Sequence, residues 1–273
     1  MSQSPLISAS ELHGLFEMGR GPVVLDIRWT LQNGSDRAGY EAGHIPTAQF
    51  VDLGTELAAP PDDRGRHPLP DADTFVAAMR GAGVCDDSAV VVYDAGPATA
   101  AARAWWLLRY FGHRDVRVLD GGFARWVDEG YSVGTEPSIV AAGSFTARPP
   151  LARVLEVEDV LDFARENVLL DARAPERFRG EVEPVDPVAG HIPGAINRPT
   201  TDNVDSDGRF LPPEVLDGAF GGLVPKGKDV AVYCGSGVTA AHQVLALELA
   251  GIDAALYLGS WSGWITDPTR PRA

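Results

Sequence analysis

The chain carries one sequence pattern twice, about 140 residues apart. In each copy an apolar run ends in tyrosine, a short loop of small residues follows, and a helical stretch ends at Gly112 or Gly251. Upstream, each copy also contains Gly-His-Ile-Pro, which ends at Pro46 and at Pro193. A period of this length is too long for a solenoid, so it indicates a duplicated domain.

The apolar runs are short, nearly continuous in Val, Ile and Leu, and alternate with helical patterns. Such runs are typical of parallel strands that are buried on both faces. We therefore predict an α/β fold with two tandem domains, each a parallel sheet flanked by helices. The predicted limits are 1–136 for the first domain, 137–150 for a linker rich in breakers and small residues, and 151–273 for the second domain.

Composition restricts the partners of this 273-residue chain, which has a formal net charge of −15. That charge argues against nucleic acid or an anionic membrane surface, and it requires a locally positive pocket for any anionic substrate. No apolar stretch approaches the roughly 20 residues of a membrane span, and no signal-peptide pattern is present, so the expected compartment is the cytoplasm. Cys85 and Cys234 lie in unrelated contexts, which predicts neither a disulfide framework nor a metal cluster.

Cys234 is the strongest candidate for a chemical role. It follows the apolar run Val-Ala-Val-Tyr and precedes Gly235-Ser-Gly237, after which a helical pattern begins near Thr239. Glycines let the backbone curl, so amide N–H groups and the positive end of the helix can face the sulfur. Both would favour the thiolate, which is the reactive form. The position also fits, because ligands of open parallel sheets bind beyond the carboxyl ends of strands.

The chain resembles the tandem-domain rhodanese family in three features. These are the loop from Cys234 to Ala240, the duplicated Gly-His-Ile-Pro segments, and a first copy with Asp94 in place of the thiol. The resemblance covers essentially the whole chain. Within the family, the Cys-Gly-Ser-Gly loop is similar to that of 3-mercaptopyruvate sulfurtransferases, whereas thiosulfate-using relatives typically carry two cationic residues after the cysteine. The resemblance therefore implies a catalytic second domain and a non-catalytic first domain.

The same resemblance implies a two-step reaction. A small anionic donor transfers its sulfane sulfur to Cys234 as a persulfide, which then passes it to cyanide or to a thiol such as thioredoxin. No metal or organic cofactor is implied. Ser236 and Thr239 could donate hydrogen bonds to the sulfur or to a bound carbonyl, or could instead serve as turn former and N-cap. The residues expected to contact substrate in the loop are Gly235, Ser236, Gly237, Val238 and Thr239.

Guanidinium groups suit the carboxylate of an α-keto acid donor. By resemblance, Arg177 matches an arginine that binds the donor. A further family arginine, expected after Glu183-Pro184, is absent from this chain, and Arg179 is the candidate to replace it. Arg173, beside a predicted strand end, is expected to form a structural ion pair.

His67 matches a first-half histidine that lies near the reacting thiol in the family, where it could act as a general acid towards the enolate left by the donor. Its acidic partner stays open between Asp62 and Asp63. His44 and His191 occur in both copies of Gly-His-Ile-Pro, including the copy without a thiol, which favours a structural role for both.

The residues leave three alternatives to the 3-mercaptopyruvate reaction. Thiosulfate could be the donor. A related single-thiol phosphatase would need an arginine six residues after the cysteine, but position 240 is alanine and the loop carries no cation. A non-catalytic sulfur-binding or regulatory module would not require the thiol in the one loop that could activate it.

Overall fold

The computed structural model describes residues 4–273, which divide into two compact units. The first unit contains the described residues up to 59 together with 70–152 and 206–210, and the second contains 60–69, 153–205 and 211–273. Two short segments, 60–69 and 206–210, thus belong to the unit that is built mainly from the other half of the chain. The sequence repeat does not reveal that these two segments change units, because their assignment depends on contacts between residues far apart in the chain.

The first unit is built on a parallel sheet with helices. Its strands are β1 (Leu6–Ile7), β2 (Val23–Asp26), β3 (Trp29–Thr30), β4 (Gly34–Ser35), β5 (Gln49–Phe50), β6 (Val90–Tyr93) and β7 (Val116–Leu119). Its helices are α1 (Ala9–Glu17), α2 (Arg37–Ala42), α3 (Ala72–Gly81), α4 (Thr99–Tyr110) and α5 (Gly122–Asp128). Five strands form the parallel sheet in the order β1-β7-β6-β2-β5, and β3 pairs with β4 in a small antiparallel ribbon.

The second unit repeats this plan. Its strands are β8 (Arg153–Val154), β9 (Val168–Asp171), β10 (Ile196–Asn197), β11 (Val230–Tyr233) and β12 (Ala254–Leu256). Its helices are α6 (Val160–Glu166), α7 (Pro175–Phe178), α8 (Pro213–Gly221), α9 (Val238–Leu249) and α10 (Ser260–Trp264), with a short 3-10 helix at Thr200–Asn203. The sheet order is β10-β9-β11-β12-β8, which is the order of the first sheet read from the opposite edge. The predicted pair of α/β domains is therefore confirmed.

Central strands β6 and β11 explain the continuous apolar runs, because every residue of both strands is buried. The first core includes Leu12, Val91 and Trp126, and the second includes Leu169, Ala231 and Trp261. Within residues 4–273, no helix has both the length and the apolar character that a membrane crossing requires.

The repeated tyrosine and the repeated Gly-His-Ile-Pro are bonded to each other in each unit. The Tyr93 hydroxyl accepts a hydrogen bond from the Ile45 N–H at 3.2 Å, and the Tyr233 hydroxyl accepts one from the Ile192 N–H at 3.1 Å. The neighbouring histidines, His44 and His191, bond backbone carbonyls through Nδ1 at 2.8 and 2.9 Å. The tyrosine contacts fix the Gly-His-Ile-Pro loop to the end of a central strand. The histidines instead bond carbonyls of helices, Tyr40 in α2 and Phe178 in α7, and these contacts fit the structural role expected for both.

Candidate active site

Cys234 lies at the carboxyl end of β11, where the sequence placed it. The residue is only 2% exposed. The Gly237 N–H donates a hydrogen bond to Cys234 Sγ at 3.2 Å, and α9 begins at the next residue. Gly237 caps this helix with φ of 79°, in the left-handed region that favours glycine. The sulfur therefore lies at the positive end of a 12-residue helix.

Residues at the start of α10 hold the backbone of the Cys234 loop. Ser260 Oγ accepts a hydrogen bond from the Cys234 N–H at 3.1 Å. The Trp261 and Ser262 N–H groups donate to the carbonyls of Cys234 and Gly235, both at 2.9 Å. These contacts fix the backbone on both sides of the thiol.

His67 reaches the same loop through Ser236. Its Nδ1 lies 2.8 Å from Ser236 Oγ, and both residues belong to the second unit. The next residue back, Arg66, is anchored by its N–H to Ser262 Oγ at 3.1 Å. The structure therefore brings His67 into hydrogen-bond contact with the cysteine loop.

Two guanidinium groups approach Gly235. A β-carbon added to Gly235 would lie 2.9 Å from Arg66 Nη2 and 3.6 Å from both terminal nitrogens of Arg177. The expectation that Gly235 lets the backbone curl needs correction, because only Gly237 of the two glycines has a positive φ. Glycine at 235 instead makes room for two cationic side chains.

Carboxylates on the segment after α7 hold both arginines. Arg177 Nε and Nη2 donate to the two oxygens of Glu183 at 3.1 and 2.7 Å. Asp186 pairs with Arg66 Nη1 and also accepts from Arg177 Nη2 at 3.3 Å. Burial lowers the pKa of the Arg66 guanidinium, and the positive charge of Arg177 lowers it further. The two guanidinium groups are thus close enough to interact.

The other two arginines singled out in the sequence lie elsewhere. Arg173 forms a buried pair with Asp171 through Nη2 at 2.7 Å and donates to the Gly190 carbonyl at 2.8 Å, which confirms the expected ion pair. Arg179 is 53% exposed at its side chain and pairs with Glu181 at 2.8 Å. The structure therefore gives Arg179 an acidic partner at the surface.

The end of the predicted loop forms the first turn of α9. Val238 is its buried first residue, and Thr239 is its partly buried second residue. Gly237 occupies the N-cap, so the reading of Thr239 as the N-cap is wrong.

Sequence reasoning missed five residues of this site, which are Arg66, Glu183, Asp186, Ser260 and Ser262. Arg66 had a visible signal, since it precedes His67 directly. Glu183 and Asp186 lie 6 and 9 residues from Arg177, so they could have been considered as its partners. Ser260 and Ser262 had no signal, because their contacts join segments that are 26 or more residues apart.

Comparisons with known proteins agree with this geometry. The protein-family model described as the rhodanese-like domain matches this chain twice, at residues 8–129 and 156–267. A Pseudomonas aeruginosa protein provisionally named 3-mercaptopyruvate sulfurtransferase is 46% identical over 283 residues, which is 100% of this chain and 99% of the relative. A Mycobacterium tuberculosis protein provisionally named thiosulfate sulfurtransferase SseB is 44% identical over 97% of this chain and 95% of its own length.

Among solved structures, SseA from Escherichia coli, which is described as a 3-mercaptopyruvate sulfotransferase with the rhodanese fold, superposes with a TM-score of 0.82 at 35% identity. The match covers 95% of this chain and 100% of SseA. Two family matches and full-length similarity at this level show that the chain is a sulfurtransferase of the rhodanese-like family with two tandem domains.

Proposed function

We propose that this sulfurtransferase takes sulfur from 3-mercaptopyruvate and carries it as a persulfide on Cys234. The observation that carries the proposal is the Gly237 N–H donated to the buried sulfur at 3.2 Å, with two guanidinium groups beside the adjacent Gly235. The first feature favours a sulfur anion, and the second favours an anionic donor. The catalytic group and its surroundings belong to the second unit.

In the first half-reaction, the Cys234 thiolate attacks the sulfur of 3-mercaptopyruvate. The new S–S bond forms as the C–S bond of the donor breaks, and the bonding electrons leave with the three-carbon fragment as the enolate of pyruvate. The proton of the donor thiol ends on carbon, which gives pyruvate and a Cys234 persulfide anion. The amide of Gly237 and the start of α9 stabilise that anion as they stabilise the thiolate.

The pair of Ser236 and His67 provides a route for the proton. Ser236 follows Cys234 by two residues in the chain, and its hydroxyl shares a hydrogen bond with His67 Nδ1. An imidazole has a pKa near neutrality, so it can both take the proton from the donor thiol and return it to the enolate. No assigned carboxylate is needed for this step.

In the second half-reaction, an acceptor attacks the outer sulfur of the persulfide. A thiolate, with thioredoxin as a protein example, becomes a persulfide, and cyanide becomes thiocyanate. In both cases the S–S bond to Cys234 breaks and the thiolate is restored, so the cycle consumes no other reactant.

Thiosulfate is the second candidate donor, and similarity to the Mycobacterium tuberculosis relative favours it. The experiment that separates the donors exposes the protein to each of them without an acceptor and measures its intact mass. We expect a gain of one sulfur atom with 3-mercaptopyruvate and no gain in Cys234→Ser. Steady-state assays with cyanide then compare kcat/KM, and a preference for thiosulfate of more than about tenfold would overturn the proposed donor.

A further inference from the structure

Arg66 differs from Arg177 in which of its nitrogen atoms are occupied. In Arg177, Nε and Nη2 form the fork that binds a carboxylate, and both atoms already donate to Glu183. In Arg66 the resident carboxylate, Asp186, takes Nη1 instead. The Nε–Nη2 edge of Arg66 therefore lies outside its ion pair.

That edge lies beside the cysteine loop. Nη2 is the Arg66 atom that approaches Gly235, at 2.9 Å from the position of an added β-carbon. Nε is buried and has no hydrogen-bond partner within the described part of the chain. A buried donor without a partner is unfavourable, so the protein gains stability when an acceptor binds there.

The charges behind Arg66 explain why it stays in place without a ligand. Acidic and basic side chains alternate from the strand end of β9 to the loop, and neighbouring members pair directly. The chain of ion pairs runs Asp171, Arg173, Glu183, Arg177, Asp186, Arg66. It ends on a cation whose side chain is 24% exposed and faces the reacting loop.

We propose that Arg66 determines donor specificity by binding the carboxylate of the α-keto acid through its Nε–Nη2 edge. This role rests on the proposed function. It assigns Arg66, rather than Arg179, to the position of the second donor-binding arginine. Asp186, which stands in the segment after Glu183-Pro184, holds the guanidinium of Arg66 in position.

The test measures KM and kcat for 3-mercaptopyruvate in Arg66→Gln, Arg66→Lys and Asp186→Asn. The matched control is Arg64→Gln, because Arg64 lies on the same segment but is 61% exposed and pairs with Asp62. Arg66→Gln removes the two charge-assisted hydrogen bonds from Nε and Nη2 to the donor carboxylate. We therefore expect its KM to rise about 10- to 100-fold, with kcat within about threefold of the wild type. Lysine lacks the fork, so Arg66→Lys should recover only part of this loss. Asp186→Asn should raise KM by less than Arg66→Gln does.

A second readout separates donor binding from an effect on the sulfur. Loading of Cys234 by inorganic polysulfide, which is anionic but has no carboxylate, should fall much less in Arg66→Gln than loading by 3-mercaptopyruvate does. An Arg66→Gln variant whose KM stays within about twofold of the wild type would overturn the role of Arg66, as would an equal loss in polysulfide loading. Wild-type protein that 3-mercaptopyruvate does not load would instead refute the proposed donor, so the two failures are distinguishable.

Discussion

The loops after β6 and β11 occupy the same place in two equivalent sheets, yet they contain different side chains. Asp94 follows β6 as Cys234 follows β11, and each loop ends in a left-handed residue just before a 12-residue helix, Ala98 with φ of 63° or Gly237 with φ of 79°. The Asp94 carboxylate accepts backbone N–H bonds at 2.9–3.3 Å from Gly96, Ala98, Ala100 and Ala101.

This difference shows what the loop geometry provides by itself. The strand–loop–helix turn directs amide N–H groups at the first side chain after the strand. Burial raises the pKa of the Asp94 carboxyl, and the backbone hydrogen bonds act against that rise. Amides alone therefore do not fully offset burial of an anion. The Cys234 loop differs in having glycine at 235 with two guanidinium groups beside it, which we infer attract the anionic donor.

The largest expected effect concerns the thiol and its location. Cys234→Ser should lower thiocyanate formation from either donor by at least about 10³-fold, because a serine hydroxyl is not ionised near neutrality and forms no persulfide. Moving the thiol with Asp94→Cys in the Cys234→Ser background should not restore turnover, because Arg66 and Arg177 lie beside Gly235 of the other loop. Circular dichroism serves as the folding control. Substantial turnover in either variant would refute the assignment of Cys234.

The second expected effect concerns His67. His67→Gln keeps a polar side chain beside Ser236 but cannot carry a proton, so kcat with 3-mercaptopyruvate should fall by about 10²-fold. Transfer from the preformed persulfide to cyanide needs no such proton and should change little. Single-turnover measurements of the two half-reactions check this, and equal losses in both would contradict a proton-transfer role.

A smaller effect is expected on stability rather than chemistry. Asp94→Ala leaves buried backbone N–H groups of the first loop without their acceptor and should lower the free energy of unfolding by about 2 kcal/mol. Turnover per folded molecule should stay at the wild-type value, because the substitution leaves the second unit intact. Urea unfolding with a parallel activity assay measures both quantities, and unchanged stability would show that the carboxylate does not hold the first loop.

The smallest effect compares the two loop glycines. Gly235→Ala would force Arg66 Nη2 to move, and since this is the end of a flexible side chain we expect KM for the donor to rise by only about 3- to 10-fold. Gly96→Ala is the matched control, because an added β-carbon there meets nothing within 4 Å. Equal kinetics in the two variants would show that close approach of the guanidinium groups does not matter.

Local sequence signals predicted much of this molecule. The apolar runs, the repeat and the position of Cys234 at a strand end all depend on residues near one another in the chain, and the parallel sheets follow from them. Arg66 could not be placed in this way, because residues 60–69 belong to the second unit although they lie in the first half of the sequence. The limits 1–136 and 151–273 remain a prediction, as do the roles of Arg177 and His67.

The central claim is that Cys234 is the residue that carries sulfur through the reaction. The most direct measurement exposes the protein to 3-mercaptopyruvate without an acceptor and locates the added sulfur by peptide mass, with Cys234→Ser as the blank that accounts for Cys85. We predict one added sulfur atom on the peptide that contains Cys234, and its loss when cyanide is added. No added sulfur on that peptide, or the same gain in Cys234→Ser, would contradict the account.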